Sequence, residues 1–349
     1  MKSSAVTTEA RGPRFEVLRR LLHRALDANP ALTIMGVAML ITFVATLVGI
    51  FVDHRVITGA PAWLKPAKFA ISVSTYCFTF VWLLGFVENC PRLVRLVANV
   101  TVVGFIVEMI VIVTQAARGT TSHFNLTTPF NSFLWFTMGA FIVLVWTMSL
   151  LLAIMLLREP MPDQAVAWSL RLGVLISAIG MGAAFFMVRP TPDQASALAG
   201  GYRLHIVGAH SVGVADGGPG LPVFGWSTVG GDLRAAHFVG LHALQILPFL
   251  GWLFTRRKSV FALLAANDRL ALVWTCGFGY LGLVALLIWQ ALRGQSVVNP
   301  DAMTITAAGV LGASVATATL ITVARVFIRN RKTRVLASAI QILIHEEDV

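Results

Sequence analysis

Charge is what this sequence lacks most. Of 349 residues only 12% are Asp, Glu, Lys or Arg, against roughly a quarter in an ordinary soluble domain, while 57% are hydrophobic and the mean hydropathy is +0.78. That balance excludes disordered, collagen-like and coiled-coil chains, and leaves too little polar chain for a large soluble catalytic domain beside a membrane. Cysteine is scarce as well. Cys77 and Cys276 fall in apolar runs and Cys90 in a connecting segment on the predicted inner side, so no outer disulfide forms. With no paired-Cys motif, thiolate redox chemistry, zinc ribbons and iron–sulfur ligation have no residues to carry them. No HExxH, P-loop, GxSxG or kinase signature occurs, and the adjacent-histidine HxxHH boxes of membrane desaturases are also missing. Gly277-Phe-Gly-Tyr-Leu-Gly282 matches GxGxxG, but it lies inside an apolar run with no strand before it, which predicts helix packing.

What is present is length in apolar runs. Stretches near 31–52, 66–87, 96–117, 133–157, 168–188, 233–255, 270–292 and 302–327 each suffice to cross about 30 Å of hydrocarbon. The expectation is an all-α polytopic membrane protein of eight transmembrane helices. Residues 1–30 would form a basic amphipathic segment, 31–327 one transmembrane domain and 328–349 a cytoplasmic tail. Of the 27 basic residues, the outer segments would hold only Arg55, Lys65, Lys68, Arg118, Arg189, Arg203, Arg234 and Arg293 if both termini are inside. The positive-inside rule therefore predicts that orientation, and it accounts for the net charge of +11 without nucleic acid. The compact spans and the lack of an apolar h-region before residue 30 suggest a bacterial inner membrane and no cleaved signal. In residues 14–27, Phe15, Leu18, Leu21, Leu22 and Leu26 alternate at helical spacing with Arg19, Arg20 and Arg24, the pattern of a helix lying on anionic inner-leaflet lipid. Val335–Ile344 is apolar but too short to span, and suits the inner leaflet or a partner.

The one long connection, residues 189–232, is rich in Gly and Pro and ends with Phe224 and Trp226 near its last turns. It reads as an ordered outer cap rather than a linker. Histidine gathers on the same side. His23 and His345 lie in the cytoplasmic ends, and His54, His123, His205, His210, His237 and His242 all map to the outer half. His205–His210 and His237–His242 share the pattern HxVGxH. On one helix an i,i+5 pair is about 140° apart with roughly 7.5 Å of rise, so the two rings cannot converge on one ion, and ligands must come from different segments. Arg234 and His237, then His242 and Gln245, form i,i+3 pairs ahead of Pro248 in the sixth span.

Two further helices match this polarity. Thr101, Glu108 and Gln115 recur every seven residues in the third span, with Glu108 about 13 Å from its outer end, near mid-membrane. A carboxyl at that depth is a functional candidate by default, as a proton carrier or a partner for a cation. Lys65, Lys68, Ser72, Tyr76 and Thr79 stripe the second span, and Lys68 could bind an anionic group near the boundary. His123 and Asn125 follow directly above Gln115.

The leading expectation is an outward-facing histidine site with metal ligands His205, His210, His237 and His242, completed or oriented by Asp216 and Asp232. The occupant would be a transition metal (Fe, Cu or Zn) or haem b, since imidazole suits all of these. His123, Gln245 and Lys68 would hold the cofactor or substrate, Glu108 and Arg234 would act in catalysis, and the chemistry would be redox on a lipid-soluble molecule such as a quinol. Two alternatives stand beside it: a proton-coupled transporter in which Glu108, Lys68 and the histidines titrate, and a non-catalytic assembly subunit.

Overall fold

The computed structural model describes residues 13–256 and 263–347, and among these the chain is mainly helical with almost no sheet. Lys2, Arg11, Arg257 and Lys258, four of the basic residues expected on the inner side, lie outside the described residues. The elements run α1 (Pro13–Ala28), α2 (Pro30–Val52), β1 (Val56–Ile57), β2 (Ala60–Pro61), α3 (Leu64–Leu84), α4 (Pro91–Ala117), α5 (Pro129–Arg158), α6 (Gln164–Gly182), α7 (Ala184–Met187), α8 (Pro192–Ala199), β3 (Ser211–Val212), β4 (Gly231–Asp232), α9 (Leu233–Thr255), α10 (Ala266–Leu292) and α11 (Ala302–Glu347). Eight helices are long and apolar enough to cross a membrane: α2, α3, α4, α5, α6 with its extension α7, α9, α10 and the first 31 residues of α11. They are the eight runs seen in the sequence. The chain is an all-α, multi-pass membrane protein, and its exposed apolar helix faces meet the lipid bilayer.

Local chemistry sets where these helices begin. Pro30, Pro91 and Pro129 open three of them, where a missing N–H costs nothing. Asn29 Oδ1 accepts from Leu32 N, Thr128 Oγ1 from Asn131 N, and Asp163 Oδ1 from Ala165 N and Val166 N. At the other end of α5, buried Arg171 donates from Nε to Leu156 O at 3.0 Å and from Nη2 to Glu159 O at 2.9 Å, satisfying carbonyls that the helix leaves open.

Helices α3, α4, α5, α6 and α9 follow one another around a shared apolar centre that contains Phe80, Leu152, Leu156, Leu170 and Leu244. Helix α2 backs α3, and α10 lies outside α6 and α9. The closest crossing is between α6 and α9: a Cβ on Gly180 or Gly240 would run into the other's backbone. Small residues let helices approach this closely in lipid. The GxGxxG run does pack helices, with Gly277 against Leu172 of α6, and Gly279 and Gly282 against Val315 and Leu311 of α11. Helix α11 leans on α10 and shows 6% burial along its apolar window, so it is mostly lipid-facing. Val335–Ile344 continues that helix.

The connection between α7 and α9 folds over one end of the bundle. Helix α8 begins with a reciprocal capping box between Thr191 and Gln194, and the Gln194 amide also bonds Gly208 N and O. Strand β3 pairs antiparallel with β4, and a bridge from Ile206 to Asn125 ties the loop to the α4–α5 connection. Two cations fasten its tip: Lys68 Nζ donates to Phe224 O at 3.1 Å, and Arg234 Nη2 to Gly225 O at 2.6 Å. Val223, immediately before these two carbonyls, has φ +66°, a conformation that costs a β-branched residue energy.

Candidate functional site

At the capped end, five separate segments bring titratable side chains together. Lys65 comes from the first turn of α3, Glu108 from α4, His123 from the α4–α5 connection, His210 and Asp216 from the cap, and His237 from α9. Lys65 lies within electrostatic reach of Glu108, Asp216, Arg234, His123 and His210. His123 and His210 have ring centroids 6.1 Å apart, and His237 is within electrostatic reach of both.

Each of the three imidazoles is held through Nδ1. Asp216 Oδ2 accepts from His210 Nδ1 at 2.6 Å, and the same carboxylate accepts the backbone amides of His210 and Ser211. Burial opposes the charge on Asp216, but the His210 ring and those amides outweigh it and hold the carboxyl well below the usual range. An ionised carboxylate can only accept, so His210 carries its proton on Nδ1. The same logic applies to His237, whose Nδ1 donates to Gly180 O at 2.9 Å. That carbonyl lies in the last turn of α6, where the helix gives way to α7. His123 Nδ1 pairs with Ser122 Oγ at 3.1 Å. Burial, reinforced by Lys65, His210 and His237, pushes the His123 pKa well below that of a free imidazole; burial also lowers that of His210, partly offset by Asp216. Both rings are neutral at neutral pH, and no hydrogen bond joins the Nε2 atoms of the three to other described residues.

Aromatic rings enclose this group. Phe69, Phe124 and Trp135 stand 5.9, 6.0 and 5.5 Å from the His123 ring, and Phe124 is 4.9 Å from His210. Below, Glu108 is 3% exposed and its Oε2 has no hydrogen-bond partner among the described residues; the same holds for Thr101 Oγ1. Gln115, the third member of that stripe, is satisfied by Asn131 and Thr121.

The other residues singled out by sequence are placed elsewhere. His205 is exposed on the rim, where its backbone rather than its ring bonds the α4–α5 connection through Leu126 N. His242 lies further along α9, its Nδ1 3.2 Å from Gln245 Oε1, and Gln245 Nε2 donates to Thr79 Oγ1 at 3.1 Å. Asp232 caps α9 and is engaged by Arg234 at 2.6 Å and by Ser227 N, so that carboxylate and that guanidinium serve the cap's fold. Lys68 is spent on the Phe224 carbonyl. Of the four expected histidine ligands the structure thus gathers His210 and His237, and it places beside them His123, expected from sequence to hold the cofactor or substrate rather than to be a metal ligand. The signal available for His123 was its place directly beyond the polar stripe of α4. Among the described residues no three His, Cys, Asp or Glu side chains are drawn in to metal-ligand distance. Compared with known proteins, the chain matches no family model, no curated protein and no solved structure.

Proposed function

We propose that the capped-end cluster is a transition-metal centre in which His123, His210 and His237 supply Nε2, serving chemistry on a lipid-soluble substrate. The observation that carries this reading is the shared tethering of Nδ1 to a carboxylate, a carbonyl and a hydroxyl. Metal-binding histidines are typically oriented in this way, with the second nitrogen left as the ligand. The neutral state of His123 and His210 suits ligation, since a protonated imidazole has no lone pair to give. Closure on an ion requires the three rings to draw together from their present spacing. The aromatic shell around His123 favours a single Fe, Cu or Zn ion over the broad slot a haem macrocycle needs. Glu108, with an unpartnered oxygen below the site, would pass protons to or from it. The basic-residue asymmetry supports placing this end outside a bacterial inner membrane, with the Leu18, Leu21 and Leu22 face of α1 on the inner leaflet and Arg19, Arg20 and Arg24 against anionic headgroups.

Elemental analysis and an optical spectrum of the full chain in detergent test the reading. Near-stoichiometric metal, lost in the His123→Ala/His237→Ala double variant and kept in His205→Ala, is the expected result. Metal absent from the native chain, or unchanged in the double variant, overturns it. The unpartnered Glu108 oxygen favours one second reading, a proton-coupled carrier, in which Glu108→Gln abolishes pH-driven flux into proteoliposomes while metal plays no part.

A further inference from the structure

The ring formed by α3, α4, α5, α6 and α9 is closed by substantial helix packing at every junction except one. Helices α3 and α9 pack only sparsely against each other. Side-chain hydrogen bonds that cross this seam are Gln245 Nε2 to Thr79 Oγ1 and, above it, Lys68 Nζ to the Phe224 carbonyl. Along α3 the seam presents Lys68, Ser72, Thr75 and Thr79, spaced i, i+4, i+7 and i+11 on one face; Ser72 is exposed, and Thr75 and Thr79 are half-buried. Along α9 it presents Phe238, His242 and Gln245 at i, i+4 and i+7.

Polar side chains at membrane depth normally turn toward the bundle interior or toward one another. Here a hydroxyl, an imidazole and an amide line a sparsely packed seam whose Ser72 side is exposed to lipid, and His242 Nε2 has no hydrogen bond to a described residue. Above them stand aromatic faces: Phe224 and Trp226 are 4.8 Å apart, each is 5.6 Å from Phe238, and Phe238 is 4.4 Å from His242. Phe224 remains 41% exposed although it sits at the mouth of this stack. Aromatic faces suit a flat ring, the imidazole and hydroxyl suit oxygens on that ring, and the sparse lipid-facing packing beside Ser72 suits an alkyl tail.

We infer that the seam between α3 and α9 is a lateral binding site for an alkyl-tailed, oxygen-bearing ring of the quinone class, entering from the bilayer toward the histidine cluster. Only the direction of travel rests on the function proposed above; binding in the seam does not.

The test is photolabelling of the full chain in lipid nanodiscs with a decyl-tailed azidobenzoquinone, beside an azido fatty acid of matched length, with labelled peptides located by mass spectrometry. The expected result is quinone label on peptides containing Ser72 or Phe238–Gln245, displaced by the non-photoreactive quinone. His242→Leu should lower it about tenfold, the effect of losing roughly 1.4 kcal/mol of binding. Ser72→Phe, which fills the seam from the other helix, should do the same, and Phe51→Leu on the lipid face of α2 should not. Equal seam labelling by the fatty acid, or quinone label spread over the lipid faces of α2 and α11, overturns the inference. Metal content measured on the same samples separates the two proposals: loss of seam label with metal retained removes the seam alone, and seam label without metal removes the centre alone.

Discussion

An imidazole that donates its Nδ1–H as a hydrogen bond to a carboxylate has only Nε2 left to offer, and the charge behind it raises its basicity as a ligand. Asp216 does this for His210, so Asp216→Asn, nearly isosteric, frees the tautomer without emptying the position. Metal affinity measured by calorimetric titration should fall about 10–100-fold in that variant; unchanged affinity would take Asp216 out of the site. The neutral rings also set a pH dependence. Unfolded imidazoles titrate near 6.5, whereas folded His123 and His210 are held below that by burial. Below about pH 6.5 the unfolded chain therefore binds protons that the folded chain refuses, and stability falls as pH falls; above it these two groups contribute no slope. The melting temperature in detergent should be flat in this respect from about pH 8 to about pH 7 and decline below about 6.5. His123→Phe, which suits the surrounding rings, should make that decline shallower.

At the scale of elements, glycine decides how close two spans come. Gly240→Leu drives a side chain into the Gly180 backbone, and overpacking of this kind costs about 1–3 kcal/mol or more. Thermal unfolding in detergent should show that loss. Gly309→Leu should be neutral, because a Cβ there meets nothing within 4 Å on lipid-facing α11. The spans themselves were legible from composition, since a helix in lipid must be apolar for its whole length whatever it packs against. The polar stripe of α4 was legible too, because an intramembrane carboxyl such as Glu108 stands out against its surroundings. The histidine set was only half legible. The HxVGxH repeat makes His205, His210, His237 and His242 look equivalent, yet one copy lies in the cap and the other along α9. Which ring turns inward depends on loop closure: Asp216 folds back onto His210, and the Asn125–Ile206 bridge brings His123 beneath the cap. Contacts between distant segments of that kind leave no local period to read.

For the whole molecule, orientation is the property to check first. On a background with Cys77, Cys90 and Cys276 replaced by Ala, Val223→Cys at the exposed cap tip should react with a membrane-impermeant maleimide in intact cells. Gln164→Cys, at the opposite end of the bundle, should react only after permeabilisation. The reverse pattern would invert the topology and move the histidine cluster to the cytoplasmic side. Helix α9 is held unequally along its two long edges. One edge is pinned to α6 at the glycine crossing, and the other is latched to α3, among the described residues, by an amide-to-hydroxyl bond from Gln245 to Thr79. Loss of the Gln245–Thr79 bond would therefore leave α9 anchored on its α6 and α10 sides alone, where the Tyr280 hydroxyl donates to Val239 O. His237, bonded to the Gly180 carbonyl, stands on the firmly held side of that helix, while His242 stands on the sparsely held one, so the two histidines of one HxVGxH copy answer to different neighbours.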